Sequence, residues 1–199
     1  MGAQATALNI LAVFLDCGDT LADEETEQKD ATGTTLAAQL IPGAAETLRA
    51  LTARGYPLAL VADGPVGTFK NILTQHKLHH LFSAFAISET VGVSKPHPRM
   101  FIHALDQLGI SSRDYGRVVM VGNNLERDIR GANALGLLSV WLDWAPRRSK
   151  IPSDETEVPM YTIKTPQELL SVIDTIETTL HGERGNAPHN RNRLPQRRQ

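Results

Sequence analysis

Short apolar runs alternate with segments of helical period along most of this chain. The first run, residues 10–15, ends on Asp16. Four later runs have the same character and cover residues 58–62, 82–87, 118–121 and 138–142. Continuous apolar runs of this length are typical of strands that are covered on both faces, as in a parallel sheet. The pattern therefore predicts five buried strands.

Segments of helical period follow these strands. Pro42 lies where a helix can begin, and Gly55 lies where one commonly ends. Further helices are predicted over residues 66–75, 98–108, 128–135 and 166–180. Residues 161–163 favour an additional edge strand. Because strand and helix alternate, the pattern predicts an α/β fold of right-handed βαβ units with a mainly parallel central sheet.

The remaining segments set the limits of the domain. Residues 22–41 are polar and rich in turn formers, and they are too short to form a domain, while residues 145–159 are expected to form a surface loop. Residues 181–199 contain one large aliphatic residue, five arginines and one glutamate. Such a segment buries too little apolar surface to offset the entropy of ordering. We predict one domain over residues 1–180 and a basic, disordered tail over residues 181–199.

Charge and cysteine usage exclude several classes of protein. The chain has 20 Lys and Arg against 22 Asp and Glu, so no overall field favours nucleic acid or an anionic membrane. A weak contact between the basic tail and RNA is the one alternative. Cys17 is the single cysteine, which indicates a reducing compartment. With no apolar run near the roughly 20 residues that span a bilayer, we expect a cytoplasmic protein, and its oligomeric state stays open.

Polar side chains follow the predicted strands at the points where the strands end. They comprise Asp16 and Asp19, Asp63, Lys95, and Asn123 and Asp128, and the glycines Gly64 and Gly122 lie beside them. In an open parallel sheet, ligands bind outside the carboxyl ends of the strands. Carboxylates, a lysine and glycines at one sheet edge suit a divalent cation together with a phosphate or similar anion. The glycine-rich phosphate loops of dinucleotide-binding and nucleoside-triphosphate-binding folds are absent from the sequence.

Three of these segments carry recognisable motifs in the expected order. Residues 14–21 (FLDCGDTL) resemble the D-x-D-x-T motif of the haloacid dehalogenase (HAD) superfamily, and residues 94–98 (SKPHP) are similar to its third motif. Residues 121–129 (VGNNLERDI) resemble the fourth motif. The chain is therefore identified as a minimal-cap or capless member of that superfamily. The resemblance covers about residues 10–144 and implies a Rossmann-like three-layer sandwich.

The resemblance also implies a chemistry. Asp16 would be the nucleophile of a Mg²⁺-dependent phosphatase and would carry an aspartyl-phosphate, and Lys95 would screen charge between Asp16 and the transferring group. The metal ligands implied are Asp16, the carbonyl of Gly18, Asp128 and Asn123. The residues at the second motif, where substrate would bind, are Ala62, Asp63 and Gly64.

The sequence departs from the family pattern at three positions. Gly18 stands where the second aspartate, the general acid and base, is usual, and Ala62 replaces a Ser or Thr. Asn123 replaces an aspartate. Three nearby groups could transfer protons instead: Asp19, Asp63 and His97. The departures leave two alternatives open, a catalytically weakened HAD-fold protein that binds a phospho-ligand or partner, and a hydrolase of the same fold that acts on a C–halogen bond.

The length of residues 22–41 adds an expectation about the substrate. In the family, a cap domain inserted at this place covers the site, and about 20 residues cannot build one. We therefore expect a vestigial cap or flap and an open site, or one closed by a neighbouring subunit. The substrate would be a phosphorylated small molecule or a bulkier phosphoester.

Overall fold

The computed structural model describes residues 8–185 and contains a six-stranded, wholly parallel sheet. The strands are β1 (Ala12–Leu15), β4 (Leu58–Ala62), β5 (Phe82–Ile87), β6 (Val118–Gly122), β7 (Leu138–Leu142) and β8 (Tyr161–Ile163). Their spatial order is β5-β4-β1-β6-β7-β8. The predicted α/β fold with a mainly parallel sheet is confirmed, including the edge strand.

Within residues 8–185, six α-helices accompany the sheet and cover both of its faces. They are α1 (Ala44–Ala53), α2 (Val66–Gln75), α3 (Ser88–Val91), α4 (Pro98–Gln107), α5 (Arg130–Leu135) and α6 (Glu168–Gly185). Alternate side chains of β1 enter different cores, because successive residues of a strand point to opposite faces. Val13 packs in one core with Leu48 of α1 and Ile173 of α6. Phe14 packs in the other with Phe101 of α4, which gives three layers.

The first strand is shorter than its apolar run, because the first backbone N–H groups donate to a side chain and not to a neighbouring strand. The backbone N–H groups of Asn9 and Ile10 donate to the Glu177 carboxylate of α6 at 2.8 and 2.9 Å. These two residues therefore anchor the C-terminal helix, and the strand begins at Ala12.

Residues 22–41, which we call the flap, form a 3₁₀ turn (Glu24–Thr26) and a two-stranded antiparallel hairpin. The hairpin consists of β2 (Gln28–Lys29) and β3 (Thr35–Ala37). It is fastened to α2, since the Thr35 N–H donates to Thr68 Oγ1 at 2.9 Å and Asn71 Nδ2 donates to the Thr35 carbonyl at 3.0 Å.

Two predicted helices have different bounds in the structure. The helix predicted to begin at residue 128 is preceded by a π-helical turn (Leu125–Ile129), where the Asn124 side chain accepts from the Arg127 N–H. The last helix continues to Gly185, so residues 181–185, which we predicted to be disordered, are helical. Residues 186–199, the rest of the predicted tail, lie outside the described residues. Within residues 8–185, no helix is long and apolar enough to cross a membrane.

Candidate active site

The candidate site lies at the carboxyl ends of the three central strands. Asp16 follows β1, Asp63 follows β4 and Asn123 follows β6, and these strands are neighbours in the sheet. Lys95 lies in the loop before α4, and Asp128 lies on the π-helical turn after β6. Sheet topology thus brings together side chains that are more than one hundred residues apart in sequence.

Lys95 is the centre of this arrangement. Its Nζ lies 2.7 Å from Asp16 Oδ1, 2.7 Å from Asp128 Oδ1 and 2.8 Å from the Val61 carbonyl oxygen. All three ammonium protons therefore have acceptors. Burial by itself would lower the pKa of Lys95, but the charges of Asp128, Asp16 and Asp63 outweigh it and raise the pKa. The lysine is a fixed positive charge between two carboxylates.

Asp128 is held from both sides. Its Oδ2 accepts from the Asn124 N–H at 3.0 Å, and its side chain is almost fully buried. Burial raises the pKa of Asp128, and this effect exceeds the opposing influence of the Lys95 ammonium. A Cβ on Gly122 would lie 2.2 Å from Asp128 Oδ2, so the close approach of this carboxylate to the strand requires glycine at position 122.

Asp16 borders a cavity of about 190 Å³. Its Oδ1 is fixed by Lys95, and its Oδ2 accepts weakly from Thr20 Oγ1 at 3.4 Å. The cavity is lined by seven of the residues predicted for the site: Asp16, Gly18, Asp63, Gly64, Lys95, Asn123 and Asp128. Cys17 also lines it, and burial raises the pKa of its thiol, which keeps the sulfur protonated at neutral pH.

Asp63 and Gly64 form one wall of the cavity. Asp63 Oδ1 accepts from the Lys95 backbone N–H at 3.0 Å, and its Oδ2 lies 3.5 Å from Arg127 Nη1. The Gly64 N–H donates to Ser88 Oγ at 2.9 Å. Asp63 thus fixes the loop that carries the buried lysine.

Three predicted residues do not reach the cavity. Ala62 is fully buried in the core below it. The Asp19 backbone is left-handed (φ 53°), and its buried carboxylate accepts from the Glu24 N–H and from the Arg147 guanidinium. His97 caps α4, where its Nδ1 accepts from the Arg99 N–H at 3.2 Å. The positions of Asp19 and His97 give no support to a proton-transfer role.

Several polar groups that line the cavity were not predicted from the sequence. They come from the flap and from the loop after β7, and they are Glu24, Glu27, Lys29, Thr35 and Arg148. Arg148 Nη2 donates to both carboxylate oxygens of Glu24 at 3.2 and 3.0 Å. The acidic residues 23–25 and the arginine pair at 147–148 are visible in the sequence. Nothing in the sequence pattern shows that either group lies near the ends of the predicted strands.

The donor set of the cavity fits a hard divalent cation. Asp16 and Asp128 supply carboxylate oxygens beside Lys95, and Asn123, whose side-chain oxygen is a neutral ligand for such an ion, lines the same cavity. Trp141 Nε1 fixes the backbone of Asn123 by donating to its carbonyl at 3.0 Å. Within the described range, no three acidic, His or Cys side chains cluster as a complete metal cage. Mg²⁺ is commonly bound by one or two carboxylates plus water and substrate phosphate, so the residues fit this ion.

Comparison with known proteins agrees with this geometry. The model of the haloacid dehalogenase-like hydrolases matches residues 20–136. The chain is 35% identical over 132 residues to the glyceraldehyde 3-phosphate phosphatase of Methanopyrus kandleri, covering 66% of this chain and 55% of that protein. It is 38% identical over 104 residues to the phosphoserine phosphatase of Thermus thermophilus, covering 52% of this chain and 42% of that protein. The chain spans about half the length of the curated relatives it matches.

A solved structure supports the same fold. The crystal structure of a HAD phosphatase from Thermococcus onnurineus superposes with a TM-score of 0.67 at 20% sequence identity, covering 82% of this chain and 98% of that chain. The family model covers more than half of the sequence. This chain belongs to the haloacid dehalogenase-like hydrolases.

Proposed function

We propose that the chain is a Mg²⁺-dependent phosphomonoester phosphatase that works through an aspartyl-phosphate on Asp16. The observation that carries this proposal is the pairing of Asp16 with a buried lysine at the edge of a polar cavity. One carboxylate oxygen is fixed by the ammonium at 2.7 Å. A carboxylate that is held in one orientation beside a substrate cavity is suited to nucleophilic attack.

The reaction has two steps. In the first, an Asp16 oxygen bonds to phosphorus, and the ester oxygen leaves with its electron pair and takes up a proton. In the second, water loses a proton and attacks the same phosphorus, which releases inorganic phosphate and restores the Asp16 carboxylate. Lys95 holds Asp16 and places a positive charge beside the transferring group in both steps.

Asp16, Asp128, Asn123 and the Gly18 carbonyl are the groups that would hold the metal. Bound Mg²⁺ offsets the repulsion between carboxylate and phosphate and polarises the phosphorus–oxygen bonds. Since Lys95 already neutralises part of the carboxylate charge, we expect the ion to bind less tightly than at a site with three free carboxylates.

The cavity favours a small polar phosphoester. Its volume of about 190 Å³ is bounded on one side by the flap, whose Glu27, Lys29 and Thr35 side chains line it. The matched relatives named above are phosphatases for glyceraldehyde 3-phosphate and phosphoserine, substrates of the size that this cavity accepts. We therefore favour a phosphorylated small molecule over a macromolecular phosphoester.

Phosphate release tests the proposal. A panel of small phosphoesters, including the two just named, and a phosphopeptide would be assayed with Mg²⁺, and then with EDTA. Asp16→Asn should lower turnover of the preferred ester by at least about 10³-fold and retain the fold by circular dichroism. Asp106→Asn, on the exposed surface of α4, is the matched control and should retain full activity.

Three results would contradict the proposal. Turnover of Asp16→Asn equal to that of the control variant would exclude Asp16 as the nucleophile. Halide release from a haloacid in place of phosphate release would favour the C–halogen alternative. Saturable binding of a phosphoester without turnover would favour the binding protein.

A further inference from the structure

The reaction proposed above moves two protons, and the residues already assigned cannot move them. Asp16 uses its oxygen to bond phosphorus. Lys95 donates its three ammonium protons to Asp16, Asp128 and the Val61 carbonyl. A third group beside Asp16 must protonate the leaving oxygen and then accept a proton from water.

Glu24 lies at the place where such a group is needed. A Cβ built on Gly18, two residues after Asp16, would lie 2.0 Å from Glu24 Oε1 and 2.8 Å from its Cδ. The Glu24 carboxylate therefore fills the space that a side chain at position 18 would occupy, and it lines the same cavity as Asp16. Glycine at position 18 is what lets the flap bring this carboxylate so close to the strand end.

The other carboxylates of the cavity are held by different partners. Asp63 fixes the Lys95 backbone, and Asp128 is bound by Lys95 and the Asn124 N–H. Glu27 accepts from Thr35 Oγ1 at 3.0 Å and pairs with Lys29 at 2.8 Å. These contacts occupy the three carboxylates, and Asp128 is in addition one of the proposed metal ligands.

Glu24 differs from these carboxylates in its exposure, since the side chains of Asp63, Glu27 and Asp128 are 13%, 11% and 1% exposed. The Arg148 side chain is 32% exposed and that of Glu24 is 34% exposed. Exposed ion pairs contribute about 0–1 kcal/mol, so this pair orients the carboxylate without holding it strongly. An orienting partner behind the proton-transferring group is the usual arrangement in general acid–base catalysis.

We propose that Glu24, presented by the flap in the space left by Gly18, is the general acid and base of this phosphatase. In the first step its carboxylic acid gives a proton to the departing ester oxygen. In the second step the resulting carboxylate takes a proton from the attacking water, so that Glu24 returns to its starting state. The inference rests on the proposed phosphatase function.

The test uses leaving groups that differ in their need for a proton. Glu24→Gln should lower turnover of an alkyl phosphate by about 10²–10⁴-fold, the usual contribution of such a group. With 4-nitrophenyl phosphate, whose leaving phenolate needs little protonation, the first turnover should persist as a burst of nitrophenolate. Steady-state turnover should then be slow, because water attack lacks its base. Glu25→Gln, a neighbouring residue with a 67% exposed side chain, is the matched control and should behave as wild type.

Moving the carboxylate from position 24 to position 18 provides a second test. Glu24→Ala should lose alkyl phosphate turnover, and Gly18→Asp should clash with the Glu24 carboxylate. The double variant Gly18→Asp with Glu24→Ala restores one carboxylate to that space and should recover turnover at least tenfold over Glu24→Ala.

Three results would overturn the inference. The first is full alkyl phosphate turnover by Glu24→Gln, and the second is an equal loss on both substrates without a burst. The third is a double variant no more active than Glu24→Ala. Each of these is distinct from failure of the phosphatase proposal itself, which would show as activity that survives Asp16→Asn.

Discussion

Replacing Lys95 with methionine should destabilise the protein strongly. The side chain is 3% exposed, and its ammonium is the shared partner of Asp16 and Asp128, each at 2.7 Å. Methionine has nearly the same length and removes only the charge and its protons. Two buried carboxylates would then face each other without a cation.

The two carboxylates do not contribute equally to the cost. The Asp16 side chain is 12% exposed and borders the cavity, so water can reach it, whereas the Asp128 side chain is 1% exposed. We therefore count one uncompensated buried charge. Removing one partner of a buried ion pair costs about 3–5 kcal/mol, and this is the loss that we expect in the free energy of unfolding.

Urea denaturation followed by tryptophan fluorescence measures this loss, with EDTA present so that no metal replaces the ammonium. At a urea dependence of about 2 kcal/mol per molar, the midpoint should fall by about 1.5–2.5 M. Lys70→Met makes the same exchange on the exposed face of α2 and should stay within about 0.5 kcal/mol of wild type. Equal midpoints for the two variants would refute the view that the Lys95 ammonium compensates the charge of the buried Asp128 carboxylate. Adding Asp128→Asn to Lys95→Met should recover part of the lost free energy of unfolding, because it removes the uncompensated charge.

Two further predictions concern packing and pH. Gly131→Ala should cost about 1–3 kcal/mol, because its Cβ would lie 2.4 Å from the buried Phe101 ring; Gly182→Ala, in open space on α6, should be neutral or stabilising by up to about 1 kcal/mol. Urea titrations of both variants check this, and an equal loss in the two would contradict it. Burial, together with the charge and hydrogen bond of Glu177, raises the pKa of Tyr56 from 10 to about 12. Because the folded pKa is the higher one, the stabilisation is complete below pH 10 and is lost as pH rises to about 12. Wild type should therefore lose stability more steeply than Tyr56→Phe over this range, and parallel pH profiles would contradict it.

Much of the fold could be predicted from the sequence because its strands are buried on both faces. A strand such as Leu58–Ala62, with every residue buried, appears as a continuous apolar run. The start of β1 could not be predicted, since it depends on Glu177, a residue 167 positions away from Ile10. The extension of α6 through Gly185 was missed, because residues 181–185 (HGERG) contain no large apolar residue from which a helical period could be read.

The candidate site likewise contains residues that could be predicted from the sequence and one that could not. Asp16, Asp63 and Asn123 could be placed together because the carboxyl ends of parallel strands meet at one sheet edge. Glu24 could not, because its position depends on the path of the flap and on Arg148, 124 residues later. The sequence itself offered only the acidic residues 23–25 and the missing side chain at Gly18, and nothing in it shows that the two meet.

The most direct test of the account is to detect the phosphoryl group on Asp16. Protein turning over its preferred phosphoester with Mg²⁺ would be quenched in acid, treated with borohydride and digested for mass spectrometry. The account predicts that an acyl phosphate at Asp16 is reduced to homoserine, and that Asp16→Asn protein gives no such product. Steady turnover with Asp16 unmodified, or with the modification at another residue, would contradict the central claim.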